Sequence, residues 1–193
     1  MLIKRPFLMK ESWKRRLRDG LSGLAIGLSW MPSMAQSTSP AAYQAMLRDL
    51  YRHTVPCVMP QALDSMARPY VLLDTRARAE YDVSHLPGAR WVGYEAFDPK
   101  RVADLAHDQP ILVYCSVGYR SERIGEQLLQ LGFTRVENLY GGIFEWKHAG
   151  HAVVNQQEQP TERIHTYNQQ WSQWLRTGEK VFDEVAADSS SRP

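Results

Sequence analysis

The 193 residues suffice for one domain of ordinary size plus extensions, and a chain that is 44% hydrophobic and 10% aromatic can bury a core, which excludes disorder as its default state. The formal net charge is only +2, and seven of the 23 basic residues but two of the 21 acidic ones lie in residues 1–35. The remainder carries 16 basic against 19 acidic residues, so nothing in it reads as a nucleic-acid footprint.

The basic excess belongs to an N-terminus with the three parts of a secretory signal. Lys14-Arg15-Arg16-Leu17-Arg18 forms a basic lead, Leu21 to Met31 an apolar stretch, and Ser33-Met34-Ala35 places small residues where a signal peptidase reads. Cleavage after Ala35 predicts a mature start at Gln36 and a periplasmic or secreted protein. The apolar stretch is too short to span a bilayer comfortably, so no stable membrane anchor remains after cleavage. Met9 is an alternative initiator. Arg15-Arg16 invites a twin-arginine reading, which Arg18 weakens, and the choice between the Sec and twin-arginine routes stays open. A buried amphipathic helix is the competing reading of this segment, and Gly20, Gly23 and Gly27 interrupt it.

In the mature chain, Tyr43, Met46, Leu47, Leu50 and Tyr51 recur at helical spacing and predict a helix over 41–54. Val55-Pro56-Cys57-Val58 reads as a short edge strand, since prolines flank it. Tyr70 to Thr75 is a buried strand ending at Asp74, followed by one or two helical turns over Arg76 to Tyr81. A Leu86-Pro87-Gly88-Ala89 turn leads into a strand at Arg90 to Gly93, and Pro99 to His107 fits a helix with proline in its first turn. Ile111-Leu112-Val113-Tyr114 is a buried strand, Ile124, Leu128, Leu129 and Leu131 mark an amphipathic helix stopped by Gly132, and Arg135 to Leu139 is the last strand. Gly141-Gly142 opens a short helix carrying Phe144 and Trp146 that Gly150 stops. After the polar linker Gln156 to Pro160, Ile164, Tyr167, Trp171, Trp174 and Leu175 predict a helix packed back on the domain, with both tryptophans mostly buried. Strands alternating with helices predict an α/β fold with a mostly parallel sheet. In order, the chain divides into a signal peptide (1–35), an N-terminal helix (41–54), an α/β domain (55–154), a helical extension (155–185) and a disordered tail (186–193).

The chemistry concentrates between the central strand and its helix, in Cys115-Ser116-Val117-Gly118-Tyr119-Arg120. Such a turn aims backbone N–H groups at an anion, and the helix N-terminus adds its positive dipole end. With Arg120 nearby, a thiol at Cys115 is expected to be largely thiolate near neutral pH. Ligands of open α/β sheets bind beyond the carboxyl ends of the strands, where Cys115 falls. A lone cysteine at a strand end is more often a small buried hydrophobe; Gly118 in mid-turn and an arginine at the helix mouth favour a nucleophile. The second cysteine, Cys57, reads as buried and inert, and a regulatory disulfide between the two is the minor alternative. No zinc spacing, phosphate loop or Ser-His-Asp set stands out.

Three separated blocks resemble the rhodanese-like sulfurtransferases: Asp74-x-Arg76-x-x-x-Glu80-Tyr81-x-x-x-His85-Leu86-Pro87-Gly88-Ala89; Cys115-x-x-Gly118-x-Arg120; and Leu139-Tyr140-Gly141-Gly142-x-x-x-Trp146-x-x-x-Gly150. They cover about residues 57–154 in the family's order. The resemblance implies a rhodanese-like domain, outside which lie the extra N- and C-terminal helices read from apolar spacing, together with a sulfur-carrying nucleophile at Cys115 and a substrate-binding loop of Ser116, Val117, Gly118, Tyr119 and Arg120. It implies no metal and no cofactor. Ser84 departs from the family's frequent glycine. Asp74, Arg76, Glu80 and His85 match a structural motif read as a buried ion-pair set, with Arg76 facing the pocket as the alternative. His85 reads as a satisfied core histidine.

The implied reaction is ping-pong: Cys115 takes the outer sulfur of thiosulfate or a similar anion, and a thiol, cyanide or a partner protein's cysteine takes it from the persulfide. Two other readings stand beside it. One is a docking or persulfide-presenting module without efficient turnover. The other is a cysteine-dependent phosphatase or arsenate reductase, whose loops typically hold five residues between Cys and Arg where this one holds four.

Overall fold

The computed structural model describes residues 39–63 and 70–182. The segment expected to be a signal peptide (1–35), the rest of the stretch before Ser39 and the tail expected from 186 lie outside the described residues.

The first helix, α1 (Pro40–Leu50), begins where the Ser39 side chain accepts from the Ala42 amide at 3.1 Å and Pro40 takes the first helical position. Its Tyr43 and Leu47 are buried, and Tyr51 follows as the C-cap. Strands β1 (Cys57–Val58), β2 (Val71–Asp74), β3 (Arg90–Trp91), β4 (Ile111–Tyr114) and β5 (Val136–Leu139) form one all-parallel sheet in the order β1-β5-β4-β2-β3. β1 is the edge strand its prolines predict. Between β1 and β2 lies the short helix α2 (Pro60–Leu63).

The sheet is covered on both faces, which is why β4 reads as an unbroken apolar run: all four of its residues are buried. Ile111 and Val113 pack with Ile124 and Leu128 of α4 (Tyr119–Gln130). Leu112 and Tyr114 pack on the other face with α1 and with Ile143 and Phe144 of α5 (Gly142–His148). Each of these buried aliphatic side chains contributes about 1.5–3 kcal/mol. Helix α3 (Arg78–Val83) follows β2, while Pro99–Val102 forms a 3₁₀ turn rather than the longer helix expected there, started by an Asp98 side chain accepting from Lys100 N.

The C-terminal region departs most from expectation. A helix is present, α6 (Gln169–Ser172), but it is one turn long. Ile164 lies instead on β8 (Arg163–His165), which pairs in parallel with β9 (Glu179–Val181), after the small antiparallel pair β6 (Val153–Val154) and β7 (Pro160–Thr161). Tyr167 adopts a left-handed backbone, φ +68°, which ends the strand and breaks any helical stripe through it. The region does pack back on the domain, through fully buried Ile164 and Leu175; Trp171 and Trp174 are half-buried beside them. Lys147–Glu162 and the amide of Arg176 donating to His148 Nε2 fasten it to α5.

Candidate active site

Cys115 follows β4 directly, at the carboxyl end of the central strand of the sheet, and is 1% exposed. The loop after it is ordered by its carbonyl groups. Cys115 O accepts from Ile143 N at 2.9 Å and Ser116 O from Phe144 N at 3.2 Å, both at the start of α5. Val117 O accepts from the Tyr51 hydroxyl at 2.7 Å, and Gly118 O from Asn138 Nδ2 at 2.9 Å. In a planar trans peptide the next N–H points opposite the carbonyl. The carbonyls of four successive residues are thus tied off, and fixing Val117 O in particular sets the direction of the Gly118 N–H. The Gly118 amide completes the pattern by donating to Cys115 Sγ at 3.1 Å. The following helix, α4, brings its N-terminal dipole to the same place.

Two glycines are required here. Gly118 has φ +95°, and a Cβ on it would sit 1.8 Å from the Tyr51 hydroxyl oxygen. Gly142 has φ +58°, and a Cβ there would sit 2.2 Å from Cys115 O. The third sequence block is thus the back wall of the cysteine loop: its glycines let α5 approach closely enough to hold the loop's carbonyls.

The side chains of the loop serve it unequally. Val117 is buried in the core, so only its backbone faces the site. Tyr119 is half-buried, with the Arg123 guanidinium 5.0 Å from its ring centre. Ser116 Oγ donates to Glu80 Oε1 at 3.0 Å and accepts from Arg120 Nη2 at 3.0 Å. Arg120 forms a two-pronged pair with Glu80, at 2.6 and 2.7 Å. The Arg120 guanidinium, which the sequence places to favour the Cys115 thiolate and to line the substrate loop, is matched by a carboxylate, so the pair adds little net charge to the site. Burial alone pushes the Glu80 carboxyl up, but the hydrogen bonds and charge of Arg120, with Arg76 and the Ala77 amide, hold it at about 2. Above Arg120 lies the ring of Tyr167, 5.6 Å from the guanidinium carbon and 54% exposed, brought there by the C-terminal region.

The rest of the first motif separates from the site. Arg76 is fully buried, paired with Asp74 (Nη2–Oδ2 2.6 Å), and donates to Ser84 O at 2.6 Å, so it steadies the turn and does not face a substrate pocket. His85 is buried as expected, its ring nitrogens 3.1 Å from Tyr81 O and from Glu158 Oε1. Glu80, read with this structural set, belongs to the cysteine loop instead.

Cys57 is exposed, not buried. It is a poor nucleophile all the same: partial desolvation, then the charge of Glu122, push its thiol up to about 11. Both cysteines are free. The register sets Cys57 opposite Asn138 and Asn138 opposite Val113. Two strand spacings, about 9.5 Å, thus separate Cys57 from the strand leading to Cys115, beyond the reach of a disulfide. Among the described residues no group of three or more His, Cys, Asp or Glu could hold a metal, and no helix is long and apolar enough to cross a membrane.

A family model described as a rhodanese-like domain matches residues 59–149. A sulfurtransferase of Allochromatium vinosum is 33% identical over 84 residues, covering 44% of this chain and 78% of that protein. The chain belongs to the rhodanese-like family. A sulfurtransferase type of activity goes with that membership in general terms. A tRNA uridine(34) hydroxylase of Pectobacterium carotovorum is 31% identical over 122 residues, 61% of this chain but only 32% of that larger protein. The solution structure of a rhodanese-like domain from Anabaena sp. is 25% identical with a TM-score of 0.48, covering 52% of this chain and 79% of that one.

Residues the sequence did not offer as functional are Tyr51, Asn138 and, in its role, Glu80. Asn138 left a faint signal, a polar residue at a position of β5 that alternates in phase with buried Val136, beside the polar Glu137. Tyr51 left none, since it reads as one more apolar position of a helical stripe.

Proposed function

We propose that this chain is an exported, single-domain sulfurtransferase that carries sulfane sulfur on Cys115, with thiosulfate or a similar small anion as donor. The observation that carries the reading is the Gly118 amide donating to Cys115 Sγ within a loop whose carbonyls are all tied away. The Cys115 thiolate attacks the outer sulfur of thiosulfate. The donor's S–S bond breaks, its electron pair leaves on sulfite, and a new S–S bond forms at Cys115. Cyanide, a small thiol or a partner protein's cysteine then attacks that sulfur and restores the thiolate. The loop amides stabilise negative charge on sulfur throughout, as an oxyanion hole does.

Intact mass after thiosulfate should rise by one sulfur on wild type, fall back after a cyanide chase, and not change on Cys115→Ser. Hydrolysis of an aryl phosphate that depends on Cys115, without any added sulfur, would instead favour a phosphatase. Export with cleavage after Ala35 rests on the N-terminal pattern alone; N-terminal sequencing of protein recovered from the periplasm should begin at Gln36, and full-length protein confined to the cytoplasm would end that part of the proposal.

A further inference from the structure

The loop that holds Cys115 is itself held by a residue outside the matched family region. Tyr51, at the end of α1, donates its hydroxyl proton to Val117 O at 2.7 Å and accepts from Gly141 N at 2.8 Å. One oxygen thus ties the cysteine loop to the turn before α5, across 66 and 90 residues of chain. The hydroxyl lies against Gly118, where any Cβ would collide with it. Tyr51 is 6% exposed, its ring packed edge-on against Tyr140 at 5.8 Å between centres. Burial keeps the phenol protonated well beyond its ordinary range, so it remains a donor to Val117 O.

The peptide between Val117 and Gly118 is one rigid unit. Its carbonyl end is fixed by Tyr51 and its N–H end points at Cys115 Sγ. Its position cannot change at one end without changing at the other. We propose that Tyr51 is a positioning residue for sulfur transfer: by anchoring the Val117 carbonyl it keeps the Gly118 N–H aimed at the sulfur of Cys115 and at negative charge developing there. This rests on the reading of Cys115 as the reactive sulfur.

Tyr43 provides the comparison that separates positioning from support. It stands two turns earlier on the same helix, is equally buried, and donates a bond of the same kind to Gly141 O at 2.9 Å. That carbonyl is outside the cysteine loop. A purely structural role for these hydroxyls predicts that Tyr43→Phe and Tyr51→Phe change alkylation and kcat only in proportion to the stability each loses.

The test measures both variants in three ways: denaturant midpoint, rate of Cys115 alkylation by iodoacetamide across pH, and kcat and KM with thiosulfate and cyanide. Both variants should lose stability, Tyr51→Phe more, because its hydroxyl makes two hydrogen bonds and that of Tyr43 one. Only Tyr51→Phe should be alkylated more slowly at neutral pH, with its pH profile moved to higher pH, and only it should lose kcat, by about tenfold, with KM for thiosulfate nearly unchanged. Equal alkylation profiles in the two variants and wild type would overturn the proposal, as would equal losses of kcat. The alkylation arm needs no sulfur donor. A wild type that takes no sulfur from thiosulfate but still shows the Tyr51-specific shift refutes the donor while leaving the positioning role standing.

Discussion

Two buried ion pairs six residues apart in sequence serve different masters. Asp74–Arg76 is closed to solvent, joins two residues of one turn, and holds the carbonyl of Ser84. Glu80–Arg120 joins residues 40 positions apart, takes in Ser116, and leaves the arginine side chain 18% exposed at the mouth of the cysteine loop. The first fixes a turn; the second fixes a reactive loop. Like chemistry in one sequence motif therefore says little about role until the partner of each charge is known.

The comparison breaks most forcefully at Asp74. Asp74→Ala leaves the Arg76 guanidinium buried and unmatched, and should cost about 3–5 kcal/mol, read as a lower denaturant midpoint. Sulfur loading per folded molecule should be nearly normal, because no loop contact is lost.

Arg120→Ala comes next. It strands the Glu80 carboxylate, but water can reach the space vacated, so the cost should be smaller, about 2–3 kcal/mol. Here loading by thiosulfate should fall as well, since Ser116 loses one of its two ordering partners. A variant with wild-type loading would place Glu80–Arg120 in the same class as Asp74–Arg76.

Acid titration probes the same difference without a mutation. The Glu80 carboxyl is held at about 2, below its ordinary value of 4.5. A group depressed by folding stabilises in full above its unfolded value, and that contribution is lost as pH falls between about 4.5 and 2. Wild type should lose stability through this window in a pH-dependent denaturant titration, while Glu80→Gln, already lacking the charge, should show a shallower loss there.

The smallest effect should come from Lys147–Glu162, whose glutamate side chain is 70% exposed. Glu162→Ala should shift stability by no more than about 1 kcal/mol and leave loading unchanged, which sets the baseline for a pair whose carboxylate is open to solvent.

What the sequence determined by itself is local. Apolar runs of strand length, helical spacing after Cys115 and glycines at turns sufficed for the parallel α/β order and for a cysteine at a strand's carboxyl end, because those patterns reflect which faces are buried over a few residues. Tertiary structure alone decided the partners. That Tyr51 reaches Val117, that Asn138 holds Gly118, and that Glu80 belongs with Arg120 depend on hydrogen bonds spanning 20 to 66 residues, and periodicity carries no record of them. The C-terminal region fails for the same reason: Ile164 and Leu175 keep their apolar spacing, but β8 is a strand because β9 pairs with it, and Tyr167 turns into the left-handed region between them. Cys57 reads as buried from its apolar neighbours, yet it sits on the sheet's edge strand, and only the strand order shows which strands have two neighbours to cover them.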